Sequence, residues 1–377
     1  MTAIDAAAGD RRSTLAALAL GSLAMIVTGL QPLLLSALAD TGRLSSALIH
    51  PVAIVELLAM ALSVALCALL LKPRRLNLWA AGAAAVCVLA GLAMLVARDG
   101  QVFALRGVGG LAGGVLVWIT VGTIARQSRP EPWAAAFFLI QSAGQVFAAA
   151  LANALGPMGG VMFAAGLSGL CLLVAPLLAP TMEDLAPAGK RAPDRRGRLG
   201  LAALFLYFAA NAALWFRMSD LATAQGLGAV SGLVVLTTLG AQMLGAMTAV
   251  SLAGRLSLRR LFALVVASLI LACAVIAARP PAPLFVAAFG LLAFAALLLG
   301  ASLFGFLHGA DPSRRAGAVS PAAQFLAAAL GPLAAMVVTS LIGLSAVLAL
   351  SPLLALAALA CAHLSLPKDA PASPDCA

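Results

Sequence analysis

Glu56 is the sharpest candidate for proton chemistry away from water, with Arg106 as its counter-charge, because each stands inside a long apolar stretch. A carboxyl can take up or release a proton, whereas a guanidinium keeps its charge. Opposite charges forced into apolar surroundings at comparable depth are expected partners. Their attraction at ~4 Å is about 4 kcal/mol at an effective dielectric near 20, and desolvation takes back much of that. Two readings stay open. Glu56 is a protonatable switch whose balance between burial and Arg106 shifts as its surroundings open, or the pair is a permanent salt bridge fixing the first half of the chain.

A second group of polar residues could hold a ligand. Gln31, Gln141, Gln145, Asn211 and Gln324 are amides within apolar stretches, and an amide both donates and accepts, which suits polar uncharged parts of a solute. The alternative is an interhelical hydrogen bond worth under ~1–2 kcal/mol. Gln141 and Gln145 share a helix face, as do Tyr207 and Asn211, and Trp215 extends the latter face. An aromatic there can stack on a ring; Trp215 equally suits the interfacial belt, as do Trp79 and Trp133. Arg217 and Asp220 are spaced as a local pair, and His308 and Asp311 sit at a stretch end, where a lone histidine is more often a cap or headgroup contact than a proton relay. The six cysteines have neither metal nor disulfide spacing. No metal site and no cofactor is expected. Gly107, Gly109, Gly110, Gly113 and Gly114 lie within an apolar stretch, so they read as helix-packing positions rather than a phosphate loop.

The elements that must position these residues are twelve apolar stretches separated by short hinges. Only 10% of the 377 residues are charged and 63% are hydrophobic, too little charge for a water-soluble surface. A bilayer core of about 30 Å needs roughly 20 apolar residues per helix. Spans are expected at about 14–38, 48–71, 76–97, 102–124, 133–154 and 157–179, then about 200–221, 227–252, 258–278, 283–307, 317–342 and 345–366. With the N-terminus inside, alternate hinges hold eighteen of the 23 Lys and Arg residues, while the others hold Arg43, Arg98 and Arg279. That asymmetry predicts cytoplasmic termini. It also assigns the net charge of +10 to lipid headgroups rather than nucleic acid. On this count Glu56 lies roughly 12 Å below the outer end of its helix, with Arg106 similar or slightly shallower.

The chain divides near its middle. Residues 180–199, with Pro180, Pro187, Pro193 and five cations, are expected to link an N-terminal six-helix bundle (1–179) to a C-terminal one (200–377). Gln145-Val-Phe-Ala-Ala-Ala-Leu is answered by Gln324-Phe-Leu-Ala-Ala-Ala-Leu, 179 residues on. Gln31 and Asn211 stand 180 apart, Arg74-Arg75-Leu76 and Arg259-Arg260-Leu261 185, and Glu56 and Gln242 186. An even number of spans per half makes this a parallel repeat about an axis along the membrane normal. Spans three, six, nine and twelve are nearly free of charged and amide residues, so they are expected to face lipid while the other eight surround a wet cavity.

These features resemble the major facilitator superfamily over essentially the whole chain. The resemblance rests on six plus six spans, the basic centre, the basic hinges after spans two and eight, and Leu105-Arg106-Gly107-Val108-Gly109-Gly110, similar to the Arg-x-x-x-Gly signature of the family's fourth helix. The hinge Leu71-Lys72-Pro73-Arg74-Arg75-Leu76 keeps the family's cations but lacks its acidic residue and leading glycine. The resemblance implies an all-α membrane protein and a secondary active transporter working by alternating access. Helices one and seven, which carry Gln31 and Asn211, would line its central cavity. The expected substrate is a small organic solute, proton-coupled through Glu56 and Arg106. Gln31, Gln141, Gln145, Tyr207, Asn211, Trp215 and Gln324 are the candidate solute contacts. A monomer in a bacterial inner membrane is expected, with protons and lipids as its other partners. An uncoupled facilitator is the nearer alternative. An intramembrane enzyme or lipid-handling scaffold is the more distant one, since the three histidines all lie near span ends.

Overall fold

A computed structural model describes residues 3–72, 74–127, 129–182, 192–252 and 256–366. Pro187, Lys190 and Arg191 of the expected linker lie outside the described residues, as do Arg255, Lys368 and Cys376. The first seven helices are α1 (Ala3–Gly29), α2 (Gln31–Asp40), α3 (Ile49–Leu70), α4 (Leu76–Ala93), α5 (Asp99–Ala125), α6 (Pro130–Ala154) and α7 (Gly156–Val174). They are followed by α8 (Arg195–Phe216), α9 (Met218–Ala224), α10 (Ser231–Leu252), α11 (Leu258–Ala277), α12 (Ala282–Ala310), α13 (Arg315–Leu341) and α14 (Val347–Ser365). Among the described residues, twelve helical segments are long and apolar enough to cross a membrane, one for each expected span. The chain is a multi-pass membrane protein.

Two boundaries differ from expectation. The first span is broken: α1 stops at Gly29 and α2 restarts at Gln31, with Pro32 in its first turn. Proline has no N–H, so the donor that would reach the Thr28 carbonyl is missing. The seventh span begins at Arg195, inside the expected linker, because Asp194 caps it by accepting from the Gly197 N–H at 2.6 Å.

By internal contacts the chain forms two compact units, Met1–Ser128 with Ile140–Arg191, and Arg129–Leu139 with Ala192–Ala377. Part of the packing recurs in both. In the first, α3 packs on α5, and α4 packs on both α5 and α7; in the second, α10 packs on α12, and α11 on both α12 and α14. Glycine permits the closest crossings. A Cβ on Gly110 of α5 would stand 2.5 Å from the Glu56 carbonyl oxygen and 3.0 Å from the Ala59 Cβ. In the second unit the glycine is on the partner helix, where a Cβ on Gly245 of α10 would collide with the Phe294 carbonyl oxygen of α12. Glu56 and Ala59 recur as Gln242 and Gly245 at one offset, so the crossing point is the same and only the helix carrying the small residue has changed.

The grouping of spans by threes describes burial incompletely. Spans four and ten stand out, with 67% and 72% of their most apolar window buried. Every-third spans do expose large apolar side chains such as Leu89, Leu173, Leu271 and Leu353, but so do Leu62, Phe147 and Leu236 on spans two, five and eight. A polar residue on a helix does not remove the lipid-compatible residues from its other faces.

Candidate functional site

The central feature of the first unit is a three-residue polar cluster. Arg106, Gly110 and Gly114 are spaced by fours, so they form one stripe of α5. Gly110 and Gly114 meet the backbone of α3 at Glu56 and Met60, which draws the guanidinium one turn away against the Glu56 side chain. Arg106 Nη2 lies 2.9 Å from Glu56 Oε2, and both side chains are about 95% shielded, at 5% and 6% exposure. The same oxygen accepts from Gln31 Nε2 at 2.6 Å. Gln31 reaches it from the first turn after the break in the first span, and its Nε2 also donates to the Ala53 carbonyl at 3.2 Å.

The ion pair is close but not aligned. Arg106 Nε and Nη2, the two nitrogens of one edge of the guanidinium, are both buried and neither has a hydrogen-bond partner. The short Nη2–Oε2 distance is therefore a charge contact and not the two-bond fork that arginine forms with a carboxylate. Glu56 and Arg106 both line a cavity of about 50 Å³ with residues of α1, α2, α3, α4, α5 and α7, all within the first unit. It shares Leu34, Leu38, Met94, Val161 and Ala164 with an apolar cluster at the end of the bundle near Leu44 and Val102. That end is pinned by Asp99, whose Oδ1 accepts from the Ser45 N–H at 2.8 Å while its own N–H donates to the Arg43 carbonyl at 2.9 Å. A cavity of this size holds an ion or a few waters, since one water needs at least ~10–15 Å³. Organic ligands occupy roughly 300–1,000 Å³.

The other candidates are dispersed. Gln145 is half-buried and donates to the Met25 carbonyl at 3.0 Å, lying over Gly29 of α1, where no side chain intervenes. Gln141, one turn earlier on α6, is buried with an unpartnered Oε1. Asn211 is half-buried and reaches the Leu292 carbonyl of α12 at 3.4 Å. Tyr207 is fully buried, edge-on to Phe208 and Phe262, with its hydroxyl unpartnered. Its surroundings are those of a core ring. Trp215 is 41% exposed and edge-on to Phe289, and Gln324 is half-buried on α13.

Two local expectations have clear structural counterparts. Arg217 Nη1 donates to Asp220 Oδ2 at 2.8 Å near the surface. His308 is exposed. Asp311 is the more consequential member of its pair: it is 1% exposed and accepts from the Ser313 N–H and hydroxyl and from the Ala316 N–H, capping the start of α13. Sequence reasoning missed this role, although Asp-Pro-Ser before a helix carries the signal of a polar acceptor at an N-terminus. It also did not place a cavity within the first unit, where six helices line it.

No protein-family model and no curated protein matches the sequence. Solved structures do match. The human organic anion transporter MFSD10 superposes with a TM-score of 0.70 at 18% identity, over 94% of this chain and 99% of that one. The major facilitator superfamily proton:xylose symporter XylE, bound to 6-bromo-6-deoxy-D-glucose, superposes with a TM-score of 0.73 at 13% identity, over 95% and 97%. A bacterial homologue of the iron transporter ferroportin, in an outward-facing state, gives 0.73 at 16% identity, over 94% and 98%. Twelve membrane-spanning helices in two units of matching internal packing, superposing nearly end to end on these proteins, give this chain the major facilitator superfamily transporter fold.

Proposed function

We propose that the chain is a secondary active transporter that moves a small organic solute by alternating access, coupled to protons through Glu56. The observation that carries this reading is Glu56 itself: a carboxylate buried at mid-helix, contacted by Arg106 and Gln31, and bordering a cavity large enough for water. A carboxylate kept for structure alone has no need of a wet cavity, whereas one that exchanges a proton must meet water at some stage. The repeat supplies the neutral Gln242 at the matching position, so coupling is confined to one half.

The basic hinges orient the protein with both termini in the cytoplasm of a bacterial inner membrane. Arg106 is engaged by Glu56 in a cavity too small for an organic solute, so solute contacts fall to residues outside that cluster. Gln141, Gln324 and Trp215 are the candidates with free polar or exposed surface, and Gln145 and Asn211 are held by long or single bonds that a solute can replace. Tyr207 is assigned to packing, and Gln31 to Glu56. An organic anion and a sugar are what two of the proteins of this fold carry by name. Both fall within the class of small polar organic solutes.

The test is transport in proteoliposomes of a solute selected by thermal-shift screening of the purified protein. With a pH gradient, wild type accumulates the solute above equilibrium, and Glu56→Gln exchanges it without accumulation. Unchanged accumulation by Glu56→Gln removes Glu56 as the coupling site. Equilibration without accumulation by wild type makes the protein an uncoupled facilitator with a structural ion pair.

A further inference from the structure

Toward the loop between α2 and α3, the cavity beside Glu56 is closed by an apolar stopper that is held at two points. Gly42, in the left-handed region at φ 68°, ends α2 and turns the chain back on itself. The Arg43 and Leu44 N–H groups then donate to the Leu38 carbonyl at 2.9 and 3.1 Å. That turn sends Leu44 inward, although Ser45 and Ser46 beside it are exposed. Leu44 is 2% exposed and packs in the apolar cluster with Leu34, Leu38, Met94, Val161 and Ala164, which also line the cavity. Asp99, the first residue of α5, grips the chain on either side of Leu44. Its N–H donates to the Arg43 carbonyl at 2.9 Å, and its Oδ1 accepts from the Ser45 N–H at 2.8 Å. Asp99 does this at φ 34°, a left-handed conformation that costs a residue with a side chain.

The second unit keeps the turn but has neither stopper nor grip. Gly226, at φ 73°, follows α9 as Gly42 follows α2, and the Leu227 N–H returns to the Ala222 carbonyl at 2.8 Å. The residue two after the glycine is Leu44 in the first unit and the exposed Gly228 in the second. The hinge before α12 reads Arg279-Pro280-Pro281, with no carboxylate and, at both prolines, no N–H. There the turn is tied by one neutral bond, from Gln225 Nε2 to the Ile276 carbonyl at 3.0 Å. The two-point grip belongs to the unit that buries Glu56.

We propose that Leu44 and Asp99 form a latch that closes the Glu56 cavity to water at this end, and that its opening brings Glu56 into contact with the aqueous phase. Both bonds of the grip lie at the surface, where water can replace them. Release therefore costs little more than their small net worth and breaks no helix. On the orientation proposed above this is the outer end, from which a transporter driven by an inward proton gradient takes its protons. The purpose of the latch rests on the coupling reading of Glu56; its existence does not.

The test is labelling of the native cysteines by a membrane-impermeant methanethiosulfonate, in the purified full-length protein in lipid nanodiscs, read site by site by mass spectrometry. Cys87 lines the cavity and reports its opening. Cys67, 5% exposed on α3 and outside the cavity lining, reports general loosening of the same unit. Asp99→Ala removes the carboxylate, and Leu44→Ala shortens the stopper. Each is expected to label Cys87 roughly threefold to tenfold faster than wild type, the factor by which one net hydrogen bond shifts an opening equilibrium. Cys67 is expected to keep its rate, and Asp99→Asn, which retains an acceptor oxygen, is expected to label as wild type does. Unchanged Cys87 labelling in both alanine variants overturns the latch, and so does an equal rise at Cys87 and Cys67. A second measurement isolates the coupling reading. In solute-free proteoliposomes under a pH gradient, Asp99→Ala is expected to leak protons faster than wild type, and adding Glu56→Gln to remove the excess. Faster Cys87 labelling without a Glu56-dependent leak keeps the latch and overturns Glu56 as the proton site, so the two claims fail separately.

Discussion

Gln31 and Glu56 are joined by a 2.6 Å hydrogen bond across the break in the first span, and the repeat shows what that bond replaces. Gln31 corresponds to Asn211 and Glu56 to Gln242. At the offset that relates Glu56 to Gln242, Arg106 falls on Leu292. Asn211 donates to the Leu292 carbonyl at 3.4 Å. One amide position thus serves a charged cluster in the first half and a backbone contact in the second. The asymmetry leaves the buried ion pair, among the described residues, in the first bundle alone.

Gln31→Leu is expected to destabilise the first unit, because the ionised Glu56 loses a neutral donor while remaining buried. Hydrogen bonds to charged groups are worth about 1.5–3 kcal/mol, so the melting transition of the purified protein falls by several degrees. Gln31→Leu combined with Glu56→Leu and Arg106→Leu should recover much of that loss, since an all-apolar cluster leaves no charge unpaired. A triple variant melting below the single one contradicts this account.

Asn211→Leu is expected to leave stability nearly unchanged. Its bond to Leu292 is long, and amide bonds between membrane helices average about 0.6 kcal/mol. If Asn211 also contacts the solute, the apparent KM rises while the melting temperature stays within error. A fall in melting temperature with unchanged KM assigns Asn211 to packing alone.

The spans and their number are legible in the sequence because the bilayer imposes length and apolarity on each helix separately. Each of the twelve expected spans has a counterpart, although the first breaks at Gly29 and the seventh starts earlier, at Arg195. Glu56 and Arg106 were legible as a pair for the same reason, as two charges with no other buried partner in reach. The geometry of that pair was not. Its poor alignment, the arrival of Gln31 and the cavity depend on how α3 and α5 cross, and this follows from Gly110 and Gly114 only once their neighbours are known. Tyr207 illustrates the opposite limit. Its spacing from Asn211 gave the shared face, but not that the face at Tyr207 packs against Phe262.

Asp220→Asn is expected to change little. Asp220 is 53% exposed, and its bond to Arg217 is a surface pair within one helical turn, a class worth about 0–1 kcal/mol. Asp311→Ala, by contrast, strips the start of α13 of a buried acceptor of three hydrogen bonds, at a cost of about 1–2 kcal/mol. Parallel thermal melts of the two variants should rank them in that order. A larger loss from Asp220→Asn would place Arg217 in a role beyond this pair.

The crossing of α3 and α5 can be tested without touching a charge. A Cβ on Gly110 would lie 2.5 Å from the Glu56 carbonyl oxygen, whereas one on Gly107, a turn earlier, meets nothing within 4 Å. Gly110→Ala must push the two helices apart, an overpacking that costs about 1–3 kcal/mol, and it separates Arg106 from Glu56. Gly107→Ala should be neutral or stabilising by up to about 1 kcal/mol, since alanine is the better helix former. Gly245→Ala should repeat the Gly110 effect in the second unit, where the Phe294 backbone is the obstacle. Gly110→Ala and Gly245→Ala are both expected to melt below wild type, and Gly107→Ala is not. A Gly107→Ala variant that melts as far below wild type as Gly110→Ala would mean that Gly110 does not set the approach of α3 and α5.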